Sequence, residues 1–385
     1  GYPYDGHRYM ISTITQDTGI YLETSTATAQ YSGGNALQTV NTKAYHSTYL
    51  QPTYEEVLGS SNPAVIRTTY RYPYDIISPT ATYTGLPNSL KQMLSKNMLY
   101  PVEEYTWVKP TTSSTQQVIS ASITQYDLVS GTTFYQPKFA YFLETTSLGS
   151  TYAVMQLSGT SGLTLDSRHK LRITFDQYDL RGNILHYTPS NGQPSSFLYG
   201  YEGSYPIAQF SNASSTQVAY SSFETDEKGG WTYAGSSVRM NPYEAKTGHS
   251  AYLLSSGAIT RTVSGASSSN KFKLSFWAKA ASGTQSWTFL GVTESLDSDW
   301  KLIEREITTT SLNINGTNVL VDELRISPIN SLATTSSYMP LVGKTSEIDP
   351  KGQGVYYLYD RFGRLLTVKN DKGEVLKHYE YTFKK

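Results

Sequence analysis

The sequence contains an internal repeat, and a repeat of this length limits the folds that the chain can adopt. Residues 178–201 read YDLRGNILHYTPSNGQPSSFLYGY, and residues 359–381 read YDRFGRLLTVKNDKGEVLKHYEY. In both copies a glycine follows the first tyrosine after four positions, a second glycine follows ten positions later, and a Tyr-x-Tyr closes the unit. Looser echoes occur at Tyr2–Gly6, Tyr70–Asp75 and Gln125–Gly131. The chain is therefore predicted to consist largely of one repeated unit.

The second copy predicts what each unit folds into. In Asn370–Gly373 the asparagine and aspartate suit a turn and Gly373 can adopt a positive φ, so the flanking segments RLLTVK and EVLKHYEYTF are expected to pair as an antiparallel hairpin. Side chains alternate along a strand, which places on one face of the second segment Val375, Lys377, Tyr379, Tyr381 and Phe383. Each repeat is thus predicted to be a half-buried hairpin.

Composition supports β structure. The chain has 33 tyrosines among its 385 residues, accompanied by many serines and threonines. Tyrosine and threonine favour pleated, half-buried surfaces, so the fold class is predicted to be all-β. One segment differs: in LPNSLKQMLSKNML the apolar residues recur at helical spacing, which predicts one short helix near residues 87–98 whose apolar stripe serves packing.

Charge and cysteine content exclude several classes of function. The 31 basic and 31 acidic side chains balance, so no nucleic-acid partner is expected. No apolar run approaches the roughly 18 to 20 residues that span a bilayer, and the first residues lack the features of a signal peptide. Because the chain opens at Gly1, we expect an excised piece whose targeting signal lies outside it. There is no cysteine, and the six histidines show no metal-binding spacing.

The central part of the chain has another character. From about Gln217 to Thr334 the Tyr-Asp pairs stop, and about eight short strand-like segments alternate with Gly, Ser and Asn turns. This pattern is typical of a two-sheet antiparallel sandwich or jelly roll. We therefore predict a repeat sheet over residues 1–216, an inserted sandwich over residues 217–334, and a return to the repeat sheet over residues 335–385.

The repeat resembles the YD or RHS repeat of bacterial cell-surface and secreted proteins, in the form seen in Bacteroidetes. Residues 359–381 match it well, residues 178–201 match with an extended ending, and residues 1–150 match only diffusely. The resemblance implies a long β-sheet that spirals into a shell, in some members around a toxin. Toxin-bearing members carry a self-cleaving DPxGL-type segment, but Asp349–Gln353 reads DPKGQ and precedes a repeat. We interpret it as a turn and assign neither autoprotease nor toxin.

The insert resembles carbohydrate-binding modules of the galactose-binding-like jelly-roll type. The resemblance rests on FE at Phe223, GGW at Gly229, AKTGHSAYLL at Ala245, KLSFWAKA at Lys273, DWKLIEREI at Asp299 and VDELRI at Val321. It implies a glycan ligand, which such modules stack on exposed aromatic rings. The candidate rings are Trp231, Tyr233, Trp277 and Trp287.

These rings have an alternative interpretation, because each can also fill the core of the sandwich. Alternation along KLSFWAKA points Leu274, Phe276 and Ala278 inward and leaves Trp277 on the opposite face. Trp277 is therefore the first candidate for an exposed, sugar-stacking ring.

The second resemblance also implies a structural calcium ion. Glu224 on the first strand and Asp322 on the last match positions that hold calcium in many related modules. Calcium takes six to eight oxygen ligands, so backbone carbonyls would have to complete the site. Alternatively, both residues are ordinary solvated or hydrogen-bonded carboxylates.

No catalytic residues are predicted. Adjacent acidic pairs such as Glu103 with Glu104 are expected to be charged turns, because glycosidase chemistry needs two carboxyls facing each other across a cleft. The sequence thus predicts a non-catalytic scaffold, extracellular or on the cell surface, which binds glycan or mediates adhesion through its insert and pairs with further repeats of a longer chain. The alternatives are a fragment of a polymorphic-toxin shell that encloses an effector, and an accessory region of a polysaccharide-degrading enzyme.

Overall fold

The computed structural model describes residues 22–32, 35–59, 64–109, 115–144, 151–234, 238–241 and 244–382. In these ranges the chain is all-β, as predicted, with one α-helix, α1, at Gly85–Ser95. The predicted helix near 87–98 is therefore confirmed, with both ends shifted toward the N-terminus. The repeat echo at Tyr2–Gly6 and the side chain of Phe383 lie outside the described residues.

Sixteen strands form one antiparallel sheet in which each strand pairs with the next sheet strand along the chain. The strands are β1 (Ser25–Ser32), β2 (Asn35–Tyr45), β3 (Pro52–Gly59), β4 (Val65–Arg71), β5 (Glu103–Lys109), β6 (Gln117–Leu128), β7 (Tyr135–Leu143), β10 (His169–Tyr178), β11 (Ile184–Pro189), β12 (Ser195–Gly200), β13 (Tyr205–Ser211), β24 (Leu332–Met339), β25 (Gly343–Ile348), β26 (Gly354–Tyr359), β27 (Leu365–Asn370) and β28 (Val375–His378). A small hairpin, β8 (Gln156–Ser158) with β9 (Gly162–Thr164), lies between β7 and β10.

Four of the turns in the main sheet share one geometry. Asp179, Asp349, Asp360 and Asn370 each begin a four-residue turn, in which a side-chain oxygen accepts the N–H groups two and four positions later at 2.7 to 3.0 Å. The fourth residue is always glycine, with φ between 74° and 88°, a region that L side chains avoid. This geometry explains the Asp-x-x-Gly spacing, and it confirms that DPKGQ is a turn.

The tyrosines of the repeat connect neighbouring strands. Six strand pairings shift register immediately before a tyrosine, at Tyr45, Tyr126, Tyr178, Tyr199, Tyr338 and Tyr359. Such a bulge bends its strand and redirects the side chain. Tyrosine hydroxyls at or near the ends of strands donate to a backbone carbonyl at or near the start of the preceding sheet strand. The pairs are Tyr45–Glu23, Tyr72–Pro52, Tyr126–Pro101, Tyr178–Pro137, Tyr338–Pro206, Tyr359–Lys344 and Tyr381–Leu365. We call these bonds tyrosine clamps.

The sheet carries its own small core at α1. Leu90 and Met93 of the helix pack against Ile123 of β6 and against Met155, which precedes β8. The same side holds a buried carboxylate, Glu103, which forms an ion pair with Arg71 at 2.6 Å and accepts the Tyr152 hydroxyl. The stripe on the helix therefore serves packing.

Between β13 and β24 the chain leaves the sheet and builds the insert. Its strands are β14 (Ala219–Ser221), β15 (Val238–Met240), β16 (Ser250–Leu253), β17 (Ile259–Thr262), β18 (Phe272–Ala280), β19 (Gln285–Phe289), β20 (Val292–Leu296), β21 (Lys301–Ile307), β22 (Ser311–Ile314) and β23 (Val319–Pro328). β15, β16, β23, β18 and β21 form a sheet that β14 joins through β23, and two ribbons, β17–β22 and β19–β20, pack over its apolar face. The main sheet resumes at Leu332, just inside the predicted limit of 334.

Candidate functional site

Three of the four predicted sugar-stacking rings lie in the core of the insert. Trp231, Tyr233 and Trp287 are 3 to 6% exposed. Trp287 stacks on Phe289 with ring centroids 5.4 Å apart, and its indole N–H donates to the carbonyl of Asn315. The prediction that these three rings are exposed for sugar stacking is therefore wrong. They belong to the apolar core of the insert and have no exposed face for a sugar.

Trp277 occupies the junction between the insert and the main sheet. Leu274, Phe276 and Ala278 point inward as predicted, and Trp277 lies half-buried on the other face of β18. The Nζ atom of Lys246 lies 4.0 Å from the centroid of its ring. The face expected to meet a sugar is therefore covered by a lysine of the same insert.

Lys246 joins this tryptophan to the C-terminal repeat. Its Nζ atom lies 3.0 Å from a carboxylate oxygen of Asp371 and 5.5 Å from the centroid of the Tyr356 ring. The Tyr356 hydroxyl donates to the same aspartate at 2.9 Å. A cation between two aromatic rings and a carboxylate thus fastens the insert to the turn between β27 and β28.

Two charged residues of β23, Glu323 and Arg325, extend the contact to β24. Glu323 is buried and accepts the hydroxyls of Tyr220, Thr247 and Thr335 at 2.7 Å, the last of these from the main sheet. Of these three bonds, that of Thr335 crosses from the main sheet to the insert, and such a hydrogen bond to a buried carboxyl group stabilises the junction by about 1 to 3 kcal/mol. No basic side chain forms an ion pair with Glu323 in the described part of the chain.

Arg325 completes the junction two residues further along β23. Its guanidinium donates to the backbone carbonyl of Asp349 at 3.0 Å and to that of Ala333 at 3.4 Å. The DPKGQ turn therefore accepts a hydrogen bond from a buried arginine of the insert. The turn also packs closely on the insert, because a Cβ added to Gly352 would lie 3.0 Å from a methyl group of Leu302. The insert and the sheet are interlocked by side chains from both.

The predicted calcium ligands do lie near each other, on either side of the loop Lys246–Ser250. Asp322 accepts the backbone N–H groups of Lys246 and Thr247 at 2.8 and 2.9 Å, and Glu224 accepts those of His249 and Ser250 at 2.8 and 2.6 Å. Burial raises the pKa of Glu224 to about 7, against the opposing effect of its two N–H bonds. Burial, reinforced by the neighbouring Glu323, also raises the pKa of Asp322 well above its usual range.

This donor set does not fit a calcium ion. Calcium needs six to eight oxygen atoms, whereas N–H groups approach both oxygens of Asp322 and one oxygen of Glu224. In the described ranges no group of three or more His, Asp and Glu side chains is arranged to hold a metal. Calcium at this position stays a prediction from the resemblance.

A cleft opens where the insert, the β24–β25 turn and the repeat turn after β26 meet. We call it the junction cleft; its volume is about 590 Å³, and its lining includes Lys246, His249, Met339, Val342, Leu358 and Arg361. Sequence reasoning did not find it because its walls come from three separate segments. It likewise missed Glu323 and Arg325, although charged residues within the apolar run VLVDELRI are a signal of buried, partnered charge.

Comparison with known proteins gives no family. No family model matches the chain, and no curated protein matches it. Among solved structures, the chain is similar to TcdB2-TccC3-Cdc42 (9% identity, TM-score 0.18), to TcdB2-TccC3 without its hypervariable C-terminal region (10%, 0.17), and to a Photorhabdus luminescens Tc holotoxin pore (10%, 0.19). The matches cover 91 to 92% of this chain but only 15 to 23% of those chains.

No helix in the described ranges combines the length and the apolar character needed to cross a membrane.

Proposed function

We propose that the chain is a non-catalytic scaffold of an extracellular or surface-attached protein, in which a YD-repeat sheet presents the insert for adhesion to glycans. The observation that carries the proposal is the interlocked junction. Glu323 and Arg325 of the insert bind Thr335, Ala333 and Asp349 of the main sheet. An insert held by buried polar bonds to its carrier has a fixed orientation, which is what presentation of a binding surface requires.

The repeat architecture supports the scaffold part of this proposal. Tyrosine clamps recur from Tyr45 to Tyr381, and Asp-x-x-Gly turns follow β10, β25 and β26, so local bonds join many of the neighbouring strands. These devices use backbone carbonyls and N–H groups as partners. The Tyr-Asp pairs of the repeat therefore have a structural explanation: the tyrosine forms a clamp and the aspartate forms a turn.

A glycan array probed with the whole chain tests the ligand class. Binding to one glycan would support adhesion, and its weakening in Trp277→Phe would assign the ligand to the part of this half-buried ring that Lys246 leaves uncovered, because phenylalanine preserves a ring for Lys246 but has less surface. Absence of binding to any glycan would reject adhesion through glycans and leave the structural role alone.

A second candidate is a wall segment of a larger shell that encloses or displays an effector. The observation in its favour is that sixteen strands follow each other in one open sheet, bounded by β1 and by β28, whose four residues are all exposed. Such edges accept further strands. The gene sequence beyond Lys385 tests this candidate: an effector domain there would favour it, and a nearby stop codon would count against it.

A further inference from the structure

The junction cleft has the size and the position of a binding site. It lies where two folding units meet, and its volume of about 590 Å³ falls within the range of about 300 to 1,000 Å³ that is usual for ligand sites. The loop Ala245–His249 forms one wall, and the turn Met339–Val342 and the repeat turn Asp360–Gly363 form the other. The turns Met339–Val342 and Asp360–Gly363 lie next to each other, because a Cβ added to Gly363 would be 3.7 Å from the Val342 side chain.

Large apolar side chains are exposed in and around the cleft. Leu358 and Met339 of its lining are 45% and 37% exposed, and Leu341 and Phe362 on the adjoining turns are 98% and 61% exposed. Exposed apolar residues that form a contiguous patch often mark a site of interaction with another protein. The tyrosines of the lining carry hydroxyls, but the aliphatic side chains of Met339, Val342 and Leu358 offer no hydrogen bonds to a sugar, so this part of the cleft favours an apolar side chain as its occupant.

Among the described residues that line the cleft, one cationic side chain forms no ion pair. Asp360 forms an ion pair with Arg364 at 2.7 Å, and Lys246 forms one with Asp371. Arg361 has no carboxylate partner among the described residues, and its guanidinium carbon lies 4.8 Å from the centroid of the Phe362 ring. A free guanidinium beside an apolar wall complements a carboxylate, to which it can donate two parallel hydrogen bonds.

We propose that the junction cleft docks a peptide segment in which an apolar side chain neighbours a carboxylate. The apolar side chain enters between the loop of the insert and Leu358, and the carboxylate meets Arg361 at the rim. This role goes beyond glycan adhesion, because it gives the scaffold a site for a protein partner.

Fluorescence anisotropy with two labelled probe peptides tests the proposal on the whole chain. One probe alternates leucine and glutamate, and the other alternates leucine and lysine. We expect the acidic probe to bind and the basic probe not to bind. Arg361→Glu should weaken the acidic probe about tenfold and improve the basic probe, because the charge at the rim is reversed.

Arg181→Glu is the matched control. Arg181 occupies the repeat turn after β10 and is exposed like Arg361, but it does not line the junction cleft. Its reversal should leave both probes unaffected. Leu358→Ser, an exposed position, should weaken the acidic probe without lowering the melting temperature, and it remains informative if Arg361→Glu does not fold.

Three results would overturn the assignment. The first is failure of the acidic probe to bind. The second is equal weakening by Arg181→Glu and Arg361→Glu, which would indicate a general charge effect. The third is binding of oligogalacturonate, an acidic saccharide, under conditions in which the peptide does not bind. That third result would assign the cleft to the proposed glycan function instead.

Discussion

The main sheet and the insert are stabilised in different ways. The sheet relies on bonds between adjacent segments: a tyrosine hydroxyl to a carbonyl, an aspartate to the N–H groups of its own turn. The insert relies on one apolar core shared by its sheet and both ribbons. Damage to the sheet should therefore remain near the damaged strand, whereas damage to the insert should spread through all of it.

The two regions also treat carboxylates differently. Asp360 in a repeat turn is stabilised by Arg364 and by N–H groups, which together lower the pKa of its carboxyl against the opposing effect of burial. Glu224 in the insert is half-buried and forms no ion pair with a described basic side chain, and desolvation raises its pKa to about 7. Acid and base should consequently affect the two regions in opposite directions.

The largest effect is expected from a cavity in the core of the insert. Phe276 is fully buried and meets the stacked rings of Trp287 and Phe289 edge-on, so Phe276→Ala should cost about 3 to 5 kcal/mol of the unfolding free energy of the insert. Tryptophan fluorescence reports this transition, because four of the five tryptophans lie in residues 217–334. Leu180→Ala, on a 70% exposed repeat-turn residue, serves as control. An unchanged melting curve for Phe276→Ala would contradict the claim that one shared apolar core stabilises the insert.

Stability of the insert should depend on pH with the next largest amplitude. The folded pKa of Glu224, about 7, lies above the ordinary value of 4.5, so folding favours its protonated form. Its contribution is fully present below pH 4.5 and is lost as the pH rises toward 7 and beyond, by at most about 3 kcal/mol.

Thermal melts of the insert between pH 5 and pH 8, in the presence of a chelator, should therefore show decreasing stability. Glu224→Gln should reduce this dependence, because the amide cannot lose a proton, and the raised pKa of Asp322 should leave a residual decrease. Stability that rises with pH would contradict the assigned direction. Stabilisation by added calcium would contradict the interpretation of the donor set.

A smaller effect is expected at the junction. Thr335→Val removes the hydroxyl that β24 donates to buried Glu323 and should cost about 1 to 3 kcal/mol. Hydrogen exchange should rise in β23 and β24 together. Thr334→Val, the neighbouring position on the other face of the strand, should not produce this paired response. Faster exchange in β24 alone would mean that the insert is not coupled to the sheet through this bond.

The smallest effect is expected from one tyrosine clamp. Tyr359→Phe removes the hydroxyl that donates to the carbonyl of Lys344 and should cost about 0.5 to 1.5 kcal/mol. Tyr357→Phe is the matched control on the same strand, because its hydroxyl forms no hydrogen bond within the described part of the chain. Equal melting temperatures for the two variants would show that the hydrogen bond from Tyr359 to Lys344 does not stabilise the sheet.

Much of the sheet could be predicted because its determinants are local. The turn at Asn370–Gly373 and the helix at Leu90 and Met93 depend on residues within one turn of each other. The sequence pattern also placed Leu274, Phe276 and Ala278 inside, because strand alternation depends only on neighbours. The partners of the tyrosine hydroxyls were not predictable, since each lies on another strand.

The candidate site was harder to predict because its residues come from distant segments. The cover of Trp277 is Lys246, and the partner of Lys246 is Asp371, so no local pattern could show that this ring is occupied. The segment around Trp231 forms only an isolated bridge, between Thr232 and Thr260, and therefore has no strand alternation from which to infer a face. In both cases the tertiary packing decides exposure.

Hydrogen exchange resolved along the whole chain, with Tyr359→Phe compared with Phe276→Ala, tests the central claim most directly. We predict that Tyr359→Phe accelerates exchange only in β25, β26 and β27, and that Phe276→Ala accelerates it throughout β14 to β23 while the main sheet beyond the junction stays protected. Acceleration across all sixteen sheet strands in Tyr359→Phe, or acceleration confined to β18 in Phe276→Ala, would contradict the account.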